Sequence, residues 1–116
     1  MLRDIDKIRR DYQQAALQEG DLAESPFEQF RRWFEAAQAS GIDEVNAMTL
    51  ATATADGCPS LRTVLLKGFD AEGFVFYTNY GSRKGGELAE NPRCSLLFFW
   101  KELERQVRIE GLAHRV

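Results

Sequence analysis

The segment Tyr77-Thr78-Asn79-Tyr80-Gly81-Ser82-Arg83-Lys84 combines a hydroxyl, two cations and a glycine turn just before a helical stretch. Free backbone N–H groups and the positive end of the helix dipole attract anions at a helix N-terminus. Arg83 and Lys84 stand in that first turn, where acidic residues are preferred, so on helix stability alone they carry the wrong sign. A bound phosphate reverses the cost, taking the Ser82 hydroxyl, the amides and both cations together. A solvated basic turn is the plain alternative, and the segment by itself leaves both open.

Arg62-Thr63-Val64-Leu65-Leu66-Lys67 places an arginine and a lysine at the two ends of an apolar strand. Positions 62 and 67 face opposite sides of a regular strand, because their separation is odd. They serve one ligand only if the strand is bulged or if Lys67 lies past its end beside Gly68. Otherwise each reaches solvent on its own side. Glu104-Arg105-Gln106 opens a later strand, where the Gln106 amide offers a donor and an acceptor to a flat heterocycle or simply faces water. Arg9-Arg10-Asp11-Tyr12 sets Arg9 and Tyr12 on one helical face, which an exposed helix flank explains as well.

The elements that must carry these groups follow from periodicity. Leu2, Ile5, Ile8 and Tyr12 predict a helix over 3–18. Ser25-Pro26-Phe27-Glu28 reads as a capping box opening a second helix, with Phe27, Phe30, Trp33, Phe34 and Ala37 as its core face and Gly41 as its stop. Alternation from 47 to 54, the Asp56-Gly57 turn and a strand over 60–67 form a hairpin. A turn over 68–73 leads to a strand over 74–79. A short helix over 82–90 ends at Asn91-Pro92, and 93–100 reads as a strand buried on both sides. Residues 104–115 alternate again. Successive hairpins with leading helices predict a mainly β fold, a small antiparallel barrel with flanking helices.

With 116 residues the chain suits one domain: a helical segment over 1–46, then strands over 47–116 with the short helix near 82–90. A net charge of −3 argues against nucleic acid or an anionic membrane as partner. Cys58 and Cys94 form no CxxC pair and His114 is the one histidine, so neither a disulfide framework, a metal site nor a catalytic triad is expected. The N-terminus carries no apolar signal core and no run reaches membrane-spanning length, which makes the cytoplasm the expected location.

Taken in order, RRDY, SPFEQF-x-x-W, LRTVLLK, FVFYTNYGSRKG, ENPR-x-SLLFFW and LERQV resemble the pyridoxamine (pyridoxine) 5′-phosphate oxidase family across essentially the whole chain. The resemblance implies a homodimeric split β-barrel with flavin mononucleotide at the subunit interface. It further implies that Arg62, Lys67, Ser82, Arg83 and Lys84 hold the phosphate and ribityl region, within a stretch from Arg62 through Thr63, Val64, Leu65 and Leu66 to Lys67. Tyr77 and Thr78 line the same pocket, and Gln106 addresses the flavin ring. Lys67 also reaches the substrate phosphate, and Arg9, Arg10, Asp11 and Tyr12 close over the substrate. Such enzymes pass a hydride from pyridoxamine or pyridoxine 5′-phosphate to the flavin, which dioxygen reoxidises, giving pyridoxal 5′-phosphate and hydrogen peroxide. No side chain need be catalytic, because the cofactor carries the chemistry. Family chains continue for roughly another hundred residues, a further domain-sized stretch. The sequence is therefore expected to be an N-terminal part, an incomplete barrel whose last strand leaves an open edge. Two other readings stand beside this one. The short length motivates a flavin- or pyridoxal phosphate-binding module without turnover. A split-barrel flavin reductase with another substrate is the second, and the RRDY segment argues against it.

Overall fold

The computed structural model describes residues 4–8, 20 and 22–116. Five antiparallel strands form one curled half-barrel sheet in the order β3-β2-β1-β4-β5. The strands are β1 (Ala47–Ala53), β2 (Pro59–Asp70), β3 (Gly73–Phe76), β4 (Arg93–Trp100) and β5 (Arg105–Leu112). Helix α1 (Pro26–Ala39) precedes the sheet, and α2 (Arg83–Glu90) joins β3 to β4. Among the described residues no helix is long and apolar enough to cross a membrane.

Helix α1 starts where Ser25 accepts a hydrogen bond from the Phe27 amide, with Pro26 at the first helical position. The full capping box does not form. Glu28 turns instead to Arg31 and Arg32, one helical turn on, because two guanidinium donors outcompete one backbone amide for its carboxylate. Ser40 closes the helix and Gly41 follows with φ +74°, a left-handed step that glycine takes without strain. The face of α1 covers one side of the sheet through Phe30 and Ala37, while Phe27 at the helix start is 36% exposed and lies at the rim.

Phe30 is the centre of the core. Its ring stands 4.8 Å from Phe69, 5.1 Å from Phe74 and 5.1 Å from Phe98, two of these contacts edge to face. Met48, Leu50, Leu66, Leu96, Phe98 and Trp100 complete the buried set. The Trp100 indole N–H donates to the Val45 carbonyl at 3.0 Å, which satisfies its one polar atom. The Arg105 guanidinium lies 4.6 Å from the Trp33 ring and ties β5 to α1.

Several boundaries move from their expected places. The predicted helix over 3–18 is described only from 4 to 8, where a single 3-10 turn (Ile5–Lys7) leads to an extended Ile8 and both isoleucines are exposed. Strand β2 runs on to Asp70, because Gly68 stays in the ladder opposite Val75. The turn is only Ala71-Glu72, closed by Asp70 accepting from the Glu72 and Gly73 amides. Strand β3 ends at Phe76, short of 79. Strand β4 spans 93–100 as expected but is not buried on both sides: Phe99 is 54% exposed, since among the described residues only α1's side of the sheet is covered.

Candidate functional site

The turn from Tyr77 to Ser82 is built on Asn79. Its side-chain oxygen accepts from the Gly81 amide, and its carbonyl accepts from the Ser82 amide and hydroxyl. The Ser82 oxygen in turn accepts from the Gly85 amide at 3.2 Å, so Ser82 is the N-cap of α2. Thr78 lies 3.5 Å away, hydroxyl to hydroxyl. Among the described residues the amides of Arg83 and Lys84 have no hydrogen-bond partner and Lys84 has no carboxylate partner. No acidic residue stands in this first turn.

Beneath the helix lies a polar cluster that links it to the sheet. Glu87 is 5% exposed. One of its carboxylate oxygens, Oε2, accepts from Thr52 on β1 and from Ser60 on β2, the latter at 2.6 Å. The same oxygen lies 3.4 Å from Nη2 of Arg62, while Oε1 accepts from Nε of Arg83 at 3.2 Å. Hydrogen bonds from Ser60 and then Thr52, with Arg83 and Arg62 behind them, hold the carboxyl down at about 2. Arg62 also donates to the Leu50 carbonyl, Thr52 and Ser60, and its side chain is 21% exposed. Arg83 is 73% exposed. Arg62 and Arg83 thus share the Glu87 carboxylate while Lys84 stands in the first turn of α2 without one, so among the described residues these three cations exceed their one anion by two charges. That surplus, with two unpartnered amides, fits a phosphate dianion.

The structure therefore brings Arg62, Ser82, Arg83 and Thr78 to one end of α2. Lys67 is the extra residue of a β-bulge: Leu66 pairs with Phe76 and Gly68 with Val75, so the strand carries the irregularity that one ligand for Arg62 and Lys67 requires. The Lys67 ammonium is 5.8 Å from the ring centre of Tyr77, itself 73% exposed, and no described contact joins it to Arg62. Within the rest of that stretch, Val64 and Leu66 point into the core while Thr63 and Leu65 point to the other face. Gln106 is also on that other face, opposite Phe99 in the ladder. With Phe99, Glu104 and Arg105 it lines a shallow depression of about 290 Å³. A broader concavity of about 580 Å³ lies between β1 and the ends of β4 and β5, and none of the expected site residues lines it. Arg9, Arg10, Asp11 and Tyr12 lie outside the described residues.

Sequence reasoning missed Glu87, Thr52 and Ser60. The spacing of Glu87 four residues after Arg83 was a visible signal for a helical ion pair. The two hydroxyls were not visible, since they come from strands 35 and 27 residues distant in sequence.

A family model described as pyridoxamine 5′-phosphate oxidase matches residues 34–116. A pyridoxine/pyridoxamine 5′-phosphate oxidase of Rubrobacter xylanophilus is 61% identical over 113 residues, covering 97% of this chain and 52% of its own length. The protein of the same name from Trichormus variabilis is 59% identical over all 116 residues and 54% of its length. The chain thus spans about half the length of the curated relatives it matches. Among solved structures, PhzG from Burkholderia lata, in complex with tetrahydrophenazine-1-carboxylic acid, superposes with a TM-score of 0.79 at 35% identity, over 85% of this chain and 50% of that one. A pyridoxamine 5′-phosphate oxidase-related, FMN-binding protein of Nostoc punctiforme gives 0.66 at 20% identity, over 78% and 47%, and shows the split-barrel fold.

Proposed function

The chain belongs to the pyridoxamine 5′-phosphate oxidase family, and we propose that it forms the phosphate-holding part of a flavin mononucleotide-dependent oxidase. The reaction proposed is oxidation of pyridoxamine or pyridoxine 5′-phosphate to pyridoxal 5′-phosphate with dioxygen as acceptor, in the cytoplasm. The observation that carries the reading is the crowd of Arg62, Arg83 and Lys84 at the start of α2, two charges in excess of Glu87. In this reading Arg83, Lys84 and the free amides of α2 hold the cofactor phosphate, Ser82 and Thr78 border it, and Arg62 supports it from the sheet. The stretch 63–66 supplies backbone beside the bound group, because two of its side chains are committed to the core. Tyr77 flanks Lys67, which reaches toward the substrate phosphate, and Arg9, Arg10, Asp11 and Tyr12 cover the substrate.

Bound flavin supplies a hydride acceptor that dioxygen can reoxidise. The protein's own part is to position and to neutralise charge, which accounts for the lack of a nucleophile–base pair in the reading. Gln106 is assigned to the flavin ring, yet it lies on the face of the sheet opposite Arg62. A homodimer meets that requirement, with one copy giving the phosphate contacts and its partner giving the ring contact.

The test is optical. Protein supplied with flavin mononucleotide should bind it and turn yellow, and pyridoxine 5′-phosphate added without oxygen should bleach the colour. The likeness to PhzG supports a second reading, a flavin enzyme acting on another ring system. A yellow protein that stays yellow with pyridoxine 5′-phosphate would favour it, and a protein that takes up no flavin would remove both.

A further inference from the structure

We propose that Glu87 is a positioning residue that aims Arg83 at the cofactor phosphate by anchoring it to the sheet. The inference rests on the reading of α2's first turn as the phosphate site. It follows from how the two carboxylate oxygens are used. Oε2 takes three donors that belong to β1 and β2: the hydroxyls of Thr52 and Ser60 and Nη2 of Arg62. Arg62 is itself fixed by the Leu50 carbonyl, Thr52 and Ser60, so this end of Glu87 is locked to the β1–β2 hairpin. Among the described residues Oε1 is left for Arg83 alone.

Arg83 meets it through Nε, at 3.2 Å. Both terminal amino groups of Arg83 then have no partner among the described residues, and the side chain is 73% exposed. An arginine held by Nε presents its two Nη groups as a fork, the geometry that takes two oxygens of one phosphate. Without the anchor the same side chain would sample many rotamers and lose that freedom on binding, so the anchor raises affinity by preorganisation. Charge alone predicts the opposite effect, since Glu87 places a negative group near the phosphate. The two effects predict changes of opposite sign.

Glu87→Gln separates them. Its carboxamide oxygen can stay with the three sheet donors, which leaves the amide N–H₂ facing Nε of Arg83, donor against donor. The variant thereby releases Arg83 while keeping the buried shape. Dissociation constants for flavin mononucleotide and for riboflavin, which lacks the phosphate, isolate the phosphate contribution as their ratio. Glu87→Gln should reduce that preference for the phosphorylated flavin by about tenfold, close to the loss of one hydrogen bond to a charged group, with riboflavin affinity unchanged. In an Arg83→Ala background the same substitution should change the ratio no further. A ratio that holds or rises in Glu87→Gln overturns the proposal, as does an equal loss with and without Arg83. If the unaltered protein binds both flavins alike, the phosphate reading itself falls and this inference with it. Should Glu87→Gln melt before binding can be read, Glu87→Asp gives the same test. It keeps the charge, but its shorter arm cannot span from the sheet to Arg83, and the ratio should drop likewise.

Discussion

Arg62 and Arg83 touch the same carboxylate, yet their surroundings predict different outcomes on truncation. Arg62 makes four hydrogen bonds from a side chain only 21% exposed: to the Leu50 carbonyl at 3.2 Å, Thr52 at 2.6 Å, Ser60 at 2.8 Å and Glu87 at 3.4 Å. Each such bond contributes about 1 kcal/mol net, and Thr52 and Ser60 retain Glu87 as a partner when the guanidinium goes. Arg62→Ala should therefore destabilise the fold by about 2–3 kcal/mol, which for a domain of this size lowers the melting temperature by roughly 5–15 °C. Arg83 is 73% exposed with one ion pair on its own helix, so Arg83→Ala should change stability by no more than about 0.5 kcal/mol. On the proposed reading its cost should appear in binding instead: loss of a hydrogen bond to a charged group would weaken flavin mononucleotide by about 1.5–3 kcal/mol, roughly tenfold to over a hundredfold. Urea denaturation followed by circular dichroism, alongside flavin titration by fluorescence quenching, reads both quantities. Equal stability of Arg62→Ala and the unaltered protein would refute the assignment of Arg62 as a strut between strands and helix. Destabilisation by Arg83→Ala as large as that by Arg62→Ala would refute the division of labour.

Acid should weaken the fold through Glu87. Its carboxyl is held at about 2 in the folded state, first by the hydrogen bond from Ser60, against an ordinary value near 4.5. A lowered value means that the stabilisation is fully present above about 4.5 and is lost as pH falls toward 2. Melting temperature against pH should drop across that window and flatten in Glu87→Gln. Glu28 is held equally low by Arg31 but at the surface, so 0.5 M salt should suppress its share and leave that of Glu87. Separately, Phe30→Ala empties the centre of the ring cluster and should cost about 3–5 kcal/mol in denaturation experiments. Phe27→Ala, at the exposed rim of the same helix, should cost well under half as much, and parity between the two would contradict the observed packing.

Local chemistry is what the chain advertises well. Ser25-Pro26, Asp56-Gly57 and the strand over 93–100 each depend on neighbours within a few residues, and each appears where its spacing places it. Nonlocal partners decide the rest. Gly68 resembles a turn residue, but pairing with Val75 keeps it in the ladder. Phe99 looks like core in an apolar run, because alternation is invisible when both faces are hydrophobic, and it is exposed because no described element covers its side of the sheet. The site divides the same way. Arg83 and Lys84 are conspicuous because they stand at the wrong end of a helix dipole, a contradiction within eight residues of sequence. The answer to that contradiction is spread over the chain: a carboxylate one turn along the helix, hydroxyls from β1 and β2, and an arginine that spans them. Glu87 pairs with Arg62 and Arg83 and leaves Lys84 without a described carboxylate, so the arrangement lowers the repulsion without removing it. A helix start that, among the described residues, keeps two uncompensated charges and two free amides against its own stability is suited to a dianion from outside the chain.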